Sequence, residues 1–410
     1  MIQSDPEVAY ASLYNQMRRL IVQPLKQSNI STVIIIDALD ECEDEGSASA
    51  ILSVLGRLVS EIPNVKFFLT GRPEPRIYEG FRLPLLTKMT DTFVLHDVER
   101  DQVDSDMRLF FRTSFSELTS RRRGLDNWPT EEQLDLLCER AAGLFVYAAA
   151  TVRFIDDDKR GPREQLDLLL ESQKVGAREG EALDALYTSI LREAFSDDDP
   201  EDDARTRSVL SVVILAVNPL SPSTIATLLG YDTEDVLPSL SPAKSLLILQ
   251  EDSRHPVRPF HKSFPDFITD PTRCTDPRFH ISPTDHHLQI LMRCFGLMDQ
   301  TLAKNMCKLP DGVANSDVSD LKERIEEHID PALQYSCLSW HVHLDDTDMT
   351  PAQAPTITPA VHQFLEKKFL FWLEVLSVVV AVRTAVEALQ FTADWLEVRY
   401  FDVWCLAHIY

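Results

Sequence analysis

The amino-acid sequence predicts an α/β sheet at the start of the chain, followed by mainly helical domains with a winged helix. Two short apolar runs, Thr32–Ile36 and Val65–Thr70, are separated by a helical pattern, and this strand–helix–strand order implies a right-handed crossover between parallel strands. After about residue 97 the apolar residues recur almost entirely at helical spacing. Near residue 250 two further apolar runs flank the polar segment EDSRHP, which is typical of a hairpin.

The first 96 residues alternate between helical and strand patterns. Residues 1–27 carry apolar side chains at helical spacing and predict an amphipathic helix. The β-branched run from Thr32 to Ile36 has no polar interruption, which predicts a strand covered on both faces. Ser47–Glu61 predicts the crossover helix, Val65–Thr70 a second buried strand, and Phe93–Leu95 a third.

The remaining chain predicts helices that lead into a winged helix. Helical patterns cover residues 98–119, 130–155, 162–173, 182–195 and 205–217. Ser221 before a proline predicts a helix start, and Gly230 predicts its end. The runs Leu246–Gln250 and Val257–His261 predict the hairpin that completes the winged helix. Residues 283–410 are helical again, without a clear repeat.

These patterns predict four domains. They are the last part of an α/β domain (1–96), a helical domain (97–178), the winged helix (179–275) and a C-terminal helical domain (276–410). The acidic run Asp197–Asp203 is interpreted as a solvated loop.

Composition restricts the class of protein. The chain has 410 residues, is 44% hydrophobic and carries a formal charge of −25, which argues against general affinity for nucleic acid. Seven cysteines without regular spacing favour reduced thiols over a disulfide framework. The first residues do not resemble a signal peptide, and the longest apolar stretch is too short to span a bilayer. We therefore expect a cytoplasmic protein without nucleic-acid or membrane partners.

An acidic cluster follows the first strand. Asp37 comes directly after Ile36, and parallel strands place ligands at their carboxyl ends. A carboxylate there can hold the hydrated Mg²⁺ that bridges nucleotide phosphates, so Asp37 is the candidate metal ligand. Asp40 and Glu41 are the candidate catalytic residues, because their carboxylates can orient an attacking water. The alternative is an ordinary acidic turn after a buried strand.

The second strand ends in residues suited to the same edge. Thr70 and Arg72 follow it, and an arginine at this edge can sense a γ-phosphate with its planar, permanently charged group. Taken alone, Arg72 could instead pair with Glu41 or Glu74. An acidic cluster and an arginine on adjacent strands form the more specific combination.

At these two segments the sequence resembles a known family. VIIIDALDEC (33–42) and FFLTGRPE (67–74) resemble the Walker B and sensor 1 segments of fungal NACHT-type signalling NTPases. These proteins are relatives of NLR immune receptors within the STAND class of P-loop NTPases. The resemblance implies that Thr70 and Arg72 contact nucleotide and that Asp37 positions Mg²⁺.

The resemblance continues along most of the chain. Residues 142–146 (AGLFV) are similar to the Gly-Leu-Pro-type segment near the adenine, with Phe145 where many relatives have proline. The segment FHKSFPDF (260–267) resembles the winged-helix segment whose histidine contacts the β-phosphate of ADP, which implies that role for His261. Residues 321–344 and 364–376 resemble the helical region that follows.

The sequence lacks the loop that grips nucleotide phosphates. A P-loop has the pattern GxxxxGK[ST], and none of the 12 glycines is followed by lysine. We expect that this loop lies outside the chain. The expected cofactors of a complete form are Mg²⁺ and ATP or ADP (or GTP), none of them bound tightly by this chain.

The resemblance implies a nucleotide-dependent signalling switch in fungal innate immunity, with protein partners and homo-oligomerisation in the complete form. Without the loop, we expect this chain to be inactive in nucleotide binding and turnover, although its family consists of ATP or GTP hydrolases. The alternative is a nucleotide-independent adaptor with the same fold. A metabolic phosphotransferase is disfavoured, since no substrate domain follows the sheet.

Other features have simpler interpretations. The predicted helix Ser221–Gly230 carries no Lys or Arg, which disfavours DNA binding. Cys337, His341 and His343 lack a second cysteine pair at zinc-finger spacing, so core packing is favoured over zinc. The aromatic stretch Phe364–Leu376 has helical spacing and predicts a core or docking face rather than membrane attachment.

Overall fold

The protein is mainly helical and divides into two compact units. The computed structural model describes residues 8, 11–28, 30–42, 46–122, 124–125, 127–156, 161–172, 180–195, 199–250, 252–347 and 353–393. The units are Met1–Val98 and Glu99–Tyr410, and each is described by itself. The boundaries predicted inside the second unit remain predictions.

The first unit contains a two-stranded parallel sheet in its described part. Its elements are α1 (Leu13–Met17), a π-helical turn (Arg18–Val22), α2 (Gln23–Ser28), β1 (Thr32–Ile36), α3 (Ser47–Leu58), β2 (Val65–Leu69), α4 (Pro75–Phe81) and α5 (Pro84–Thr87). The strands pair in register, with Ile34 opposite Phe67. The predicted strand–helix–strand crossover is therefore confirmed.

Only one face of this sheet is covered. Ile34 and Phe67 point toward a buried cluster that includes Val54 and Leu58 of α3. Side chains alternate along a strand, so Val33, Ile35 and Phe68 lie on the other face, where they are 56%, 68% and 58% exposed. The prediction of strands covered on both faces is wrong for the described residues. An uninterrupted apolar run does not show whether both faces are covered.

The predicted third strand is also absent. Residues 91–94 have no regular structure, and Leu95–Asp97 form a 3₁₀ turn. Phe93 is 77% exposed and Leu95 is 74% exposed. The apolar character of this segment is therefore not explained by pairing with β1 or β2.

The second unit is helical apart from one small hairpin in its described residues. Its elements are α6 (Arg100–Arg121), α7 (Glu131–Ala141), α8 (Phe145–Ile155), α9 (Pro162–Ser172), α10 (Glu181–Ala194), α11 (Pro200–Leu215), α12 (Pro222–Leu229), α13 (Thr233–Leu240), β3 (Leu247–Ile248), β4 (Arg258–Pro259), α14 (Ser263–Ile268), α15 (Pro283–Thr301), α16 (Leu321–His328), α17 (Pro331–Asp345), α18 (Ala354–Lys367) and α19 (Phe369–Val378). Residues 382–393 are also helical.

Local signals place the elements around the hairpin. The hydroxyl of Ser221 accepts a hydrogen bond from the backbone N–H of Thr224 (3.2 Å), and Gly230 ends α12 at a φ of +73°. β3 and β4 pair antiparallel, so the predicted hairpin is confirmed, although each strand has only two residues.

The acidic run before α11 is partly helical. Asp199 caps α11, its carboxylate accepting the backbone N–H groups of Glu201 and Asp202 at 3.1 Å each. The interpretation of the whole run as a solvated loop is thus wrong from residue 200 onward, where α11 begins, while residues 197–198 lie outside the described part. Acidic residues at a helix start also complement the helix dipole.

The second unit has one continuous core that reaches into the C-terminal helices. Trp340, Phe364 and Trp372 pack edge to face, and the Trp372 indole donates to the carbonyl of Cys337 at 2.9 Å. The expected core role of the aromatic stretch is therefore confirmed. Among the described helices, none combines the length and apolar character needed to cross a bilayer.

Candidate functional site

The carboxyl ends of β1 and β2 are joined by main-chain hydrogen bonds that continue past the strands. The Thr70 N–H donates to the carbonyl of Ile36 (3.0 Å), and the Leu39 N–H donates to the carbonyl of Thr70 (2.8 Å). Between them Ala38 adopts a left-handed conformation with φ +53°. This turn directs Leu39–Glu41 into a short 3₁₀ helix at the sheet edge.

The Thr70 hydroxyl connects the two strand ends. Its oxygen accepts the backbone N–H of Ala38 at 2.9 Å, and its proton is donated to Oδ1 of Asp37. A threonine hydroxyl can donate once and accept twice, so both interactions are compatible. The exposed carboxylate of Asp37 is thereby held at the end of β1.

Asp40 and Arg72 are paired at the same edge. Oδ1 of Asp40 accepts the backbone N–H of Arg72 at 3.0 Å, and its Oδ2 lies 3.5 Å from Nε of Arg72. The Asp40 side chain is 5% exposed, whereas that of Arg72 is 48% exposed. The arginine thus pairs with Asp40, a partner not weighed from the sequence. Glu41 is exposed at the end of the 3₁₀ turn.

The donor set at this edge fits a hydrated magnesium ion held together with phosphates. Mg²⁺ commonly takes one or two carboxylates and fills its other positions with water and phosphate oxygens. Asp37 offers a positioned, exposed carboxylate beside the Thr70 hydroxyl. Within the described ranges no group of three or more His, Cys, Asp or Glu side chains forms a metal site. A magnesium ion held by Asp37 would therefore take its other ligands mainly from water and phosphate oxygens.

His261 lies in the second unit, two residues before the start of α14. Its Nδ1 is 2.7 Å from Oγ of Ser263 and 3.1 Å from the backbone nitrogen of the same residue. The structure brings the other five candidates together on one strand edge of the first unit. The role proposed for each of the six remains a prediction.

A buried pair of histidines was not predicted from the sequence. His287 of α15 and His343 of α17 share a hydrogen bond between their Nδ1 atoms at 2.7 Å. His343 Nε2 lies 2.6 Å from the hydroxyl of Tyr335, and His287 Nε2 lies 3.5 Å from the carboxylate of Asp346. The core placement expected of Cys337 and His343 is confirmed. The pairing was missed because 56 residues separate the two histidines.

Burial changes the pKa values in this network. Burial lowers the pKa of His343 to about 3, with smaller contributions from the neighbouring His287 and His341. Burial also lowers the pKa of His287, an effect that Asp346 partly opposes. Burial raises the pKa of the Tyr335 hydroxyl. Both imidazoles are thus held neutral near pH 7.

A pocket of about 990 Å³ opens in the second unit, and none of the candidate residues is among those that line it. Arg121 and Arg122 of its lining both contact Asp156. Trp128 also lines this pocket, and its buried indole N–H has no hydrogen-bond partner among the described residues.

A protein family and a fungal protein are each similar in sequence to this chain. The family described as "Nephrocystin 3, N-terminal" matches residues 2–72, which include the whole strand edge from Asp37 to Arg72. The chain is also similar to a fungal incompatibility protein. Vegetative incompatibility protein HET-E-1 of Podospora anserina is 24% identical in an alignment over 382 residues, and the alignment covers 88% of this chain. The chain spans about a quarter (26%) of that relative's length.

No solved structure matches this chain. The two sequence matches support a relationship to NACHT-type proteins, in agreement with the motifs at the strand edge.

Proposed function

We propose that this chain is part of an NLR-like signalling NTPase that acts as a nucleotide-dependent switch and oligomerisation scaffold. The observation that carries the proposal is the strand edge, where Thr70 fixes Asp37 and Asp40 pairs with Arg72. The similarity to an incompatibility protein over 88% of the chain supports a signalling role.

In this proposal each candidate has one task. Asp37 positions Mg²⁺ against nucleotide phosphates, while Asp40 and Glu41 assist the attack of water. Thr70 and Arg72 face the phosphates, and Arg72 exchanges its contact with Asp40 for one with the γ-phosphate. The Arg72 side chain is 48% exposed and can turn toward the phosphate, while the 5% exposed carboxylate of Asp40 keeps its hydrogen bond from the backbone N–H of Arg72.

The second unit supplies the other half of the switch. The sequence order of helices α10–α13, the β3–β4 hairpin and α14 favours a winged helix that presents His261 to the β-phosphate of ADP. Replacement of ADP by ATP then releases this contact and favours assembly with protein partners or further copies of the chain. Such a ligand acts through its different affinity for the two states.

Hydrolysis tests this assignment. In a longer form that carries a GxxxxGK[ST] segment before β1, we expect Asp37→Asn to reduce ATP or GTP turnover at least tenfold at saturating Mg²⁺. Asp91→Asn, at an exposed aspartate of the same unit, is the matched control and leaves turnover unchanged. Equal turnover in the two variants contradicts the role of Asp37.

A nucleotide-independent adaptor is the second candidate. Two observations favour it: Arg72 is already paired with Asp40, and three apolar side chains of the sheet are more than half exposed. In that case the strand edge is a structural turn and the exposed face contacts a protein partner. The adaptor predicts that the longer form signals equally well when Asp37 is replaced by asparagine.

A further inference from the structure

His261 is the last residue but one before α14, and its ring is joined to the first residue of that helix. The backbone N–H of Ser263 points to Nδ1 at 3.1 Å, and the Ser263 hydroxyl lies 2.7 Å from the same nitrogen. The hydroxyl of Tyr187, on α10, lies 2.8 Å from Oγ of Ser263. Tyr187 of α10, Ser263 of α14 and His261 before that helix thus form one continuous line of hydrogen bonds.

The protons in this line have only one consistent arrangement. A backbone N–H can only donate, so Nδ1 of His261 is an acceptor and carries no proton. The Ser263 hydroxyl therefore donates to Nδ1, and its oxygen accepts the proton of the Tyr187 hydroxyl. In a neutral imidazole the remaining proton then lies on Nε2.

Tyr187 is well placed to maintain this direction. Its side chain is 1% exposed and packs against Phe264 and Phe267, with ring centroids 5.4 Å apart in both pairs. Burial raises the pKa of Tyr187 to about 12, so the hydroxyl keeps its proton throughout the physiological range. It therefore remains available as a donor to Ser263.

A second contact holds α10 against the chain that follows α14. Asp184, one turn before Tyr187, forms a two-point ion pair with Arg273 at 2.6 and 3.1 Å. Both side chains are partly buried, at 21% and 31% exposed. Paired hydrogen bonds of this kind fix geometry as well as charge. The distance between Tyr187 and Ser263 is thus fixed by two contacts, which are the packing of Tyr187 against α14 and the ion pair between Asp184 and Arg273.

We infer that Tyr187 and Ser263 are positioning residues that hold His261 as the tautomer protonated on Nε2, so that the ring offers an N–H donor to an anionic oxygen. The ligand chemistry that matches this donor is a phosphate oxygen of a nucleoside diphosphate. That last step rests on the proposed function, whereas the tautomer does not. A carboxylate or phosphate oxygen accepts such a hydrogen bond, and a cation cannot.

Nitrogen NMR of the full chain tests the inference without any nucleotide. With ¹⁵N-labelled histidine at about pH 8, two-bond ring correlations distinguish the two neutral tautomers, and the loss of one signal set in His261→Gln assigns the residue. We expect the wild-type ring to be protonated on Nε2. Ser263→Ala should lower the ratio of the two tautomers about three- to tenfold, the effect of one ordinary hydrogen bond.

Matched variants separate positioning from folding. Ser263→Thr keeps the hydroxyl and should restore the wild-type ratio, while Tyr187→Phe should lower it less than Ser263→Ala does. Ser316→Ala, at an exposed serine of the same unit, should leave it unchanged. The signals of the other histidines report whether each variant is folded.

Two results overturn the inference: a wild-type ring protonated on Nδ1, or a tautomer ratio that Ser263→Ala does not change in the folded protein. The proposed function fails separately. If the longer form binds ADP with the same affinity after His261→Gln, then Tyr187 and Ser263 orient the His261 ring but the ring does not contact the phosphate.

Discussion

At the scale of single residues, the Thr70 hydroxyl is the most constrained group of the strand edge. It accepts from the backbone of Ala38 and donates to Asp37, so it determines both the turn and the direction of the carboxylate. Its methyl group makes neither interaction. Replacement by residues of similar shape therefore separates hydrogen bonding from packing.

We expect Thr70→Val to lower the free energy of unfolding by about 1–2 kcal/mol, because the Ala38 N–H loses its acceptor. Thr70→Ser keeps the hydroxyl and should cost less than about 1 kcal/mol. Urea denaturation followed by circular dichroism measures both. If Thr70→Val is as stable as wild type, or costs less than Thr70→Ser, the hydroxyl does not stabilise this turn.

The residue types at this edge could be predicted from the sequence, but their pairing could not. Asp37 and Thr70 follow apolar runs directly, and parallel strands bring such residues to one edge. The contact of Asp40 with Arg72 depends on the left-handed turn at Ala38, a conformation that alanine rarely adopts. No local pattern in the sequence indicates that turn.

At the scale of elements, β1 has two different faces although its sequence is uniform. Ile34 packs toward α3, whereas Ile35 is 68% exposed. Neighbouring isoleucines of one strand therefore offer a direct comparison of buried and exposed apolar surface. The exposed face is also a place where further chain or a partner can pack.

We expect Ile34→Ala to lower the free energy of unfolding by about 1–3 kcal/mol, because it leaves a cavity against α3. Ile35→Ala should change it by less than about 0.5 kcal/mol, as exposed substitutions usually do. Chemical denaturation of both variants under the same conditions measures the difference. A larger loss for Ile35→Ala would show that its face is covered in solution.

The histidine pair between α15 and α17 makes the second unit sensitive to acid. The folded protein lowers the pKa of His343 from 6.5 to about 3. Between these values the unfolded chain binds more protons than the folded one, so stability falls as pH falls and is fully present above about pH 7. His287 changes in the same direction, and His286, His341 and Asp346 are the other titratable groups around the pair.

We expect His343 to contribute a loss of about 2 kcal/mol between pH 7 and pH 5. His343→Gln should remove about this part of the pH dependence, measured as the difference between urea titrations at the two pH values. His362→Gln, at an exposed histidine of the same unit, serves as the control, with a pH dependence close to wild type. If His343→Gln leaves the pH dependence unchanged, the pair does not titrate as described.

Elements with local signals were predicted well, and those that depend on distant residues were not. Ser221, Pro222 and Gly230 identify both ends of α12, because capping is decided by neighbours in sequence. The segment 93–95 has the composition of a strand but no pairing partner, so composition alone gave a wrong prediction. The bond between His287 and His343 likewise depends on helix packing.

At the scale of the whole molecule, the strand edge and His261 belong to different compact units. A switch that joins them needs a ligand which contacts both, and a nucleoside diphosphate with Mg²⁺ has the required groups. The resemblance to NACHT-type proteins supplies this arrangement as a hypothesis, and the 24% identity to an incompatibility protein supports a distant relationship along most of the chain. Nucleotide affinity is therefore the property that tests the proposed switch most directly.

Calorimetric titration with ADP and ATP in the presence of Mg²⁺ measures this affinity most directly. The 410-residue chain should show no saturable binding at micromolar nucleotide, because its sequence has no GxxxxGK[ST] loop. A form extended by such a loop should bind at micromolar concentration or below, and Asp37→Asn should weaken it only when Mg²⁺ is present. Micromolar binding by the chain alone, or an extended form that binds no nucleotide, contradicts the account.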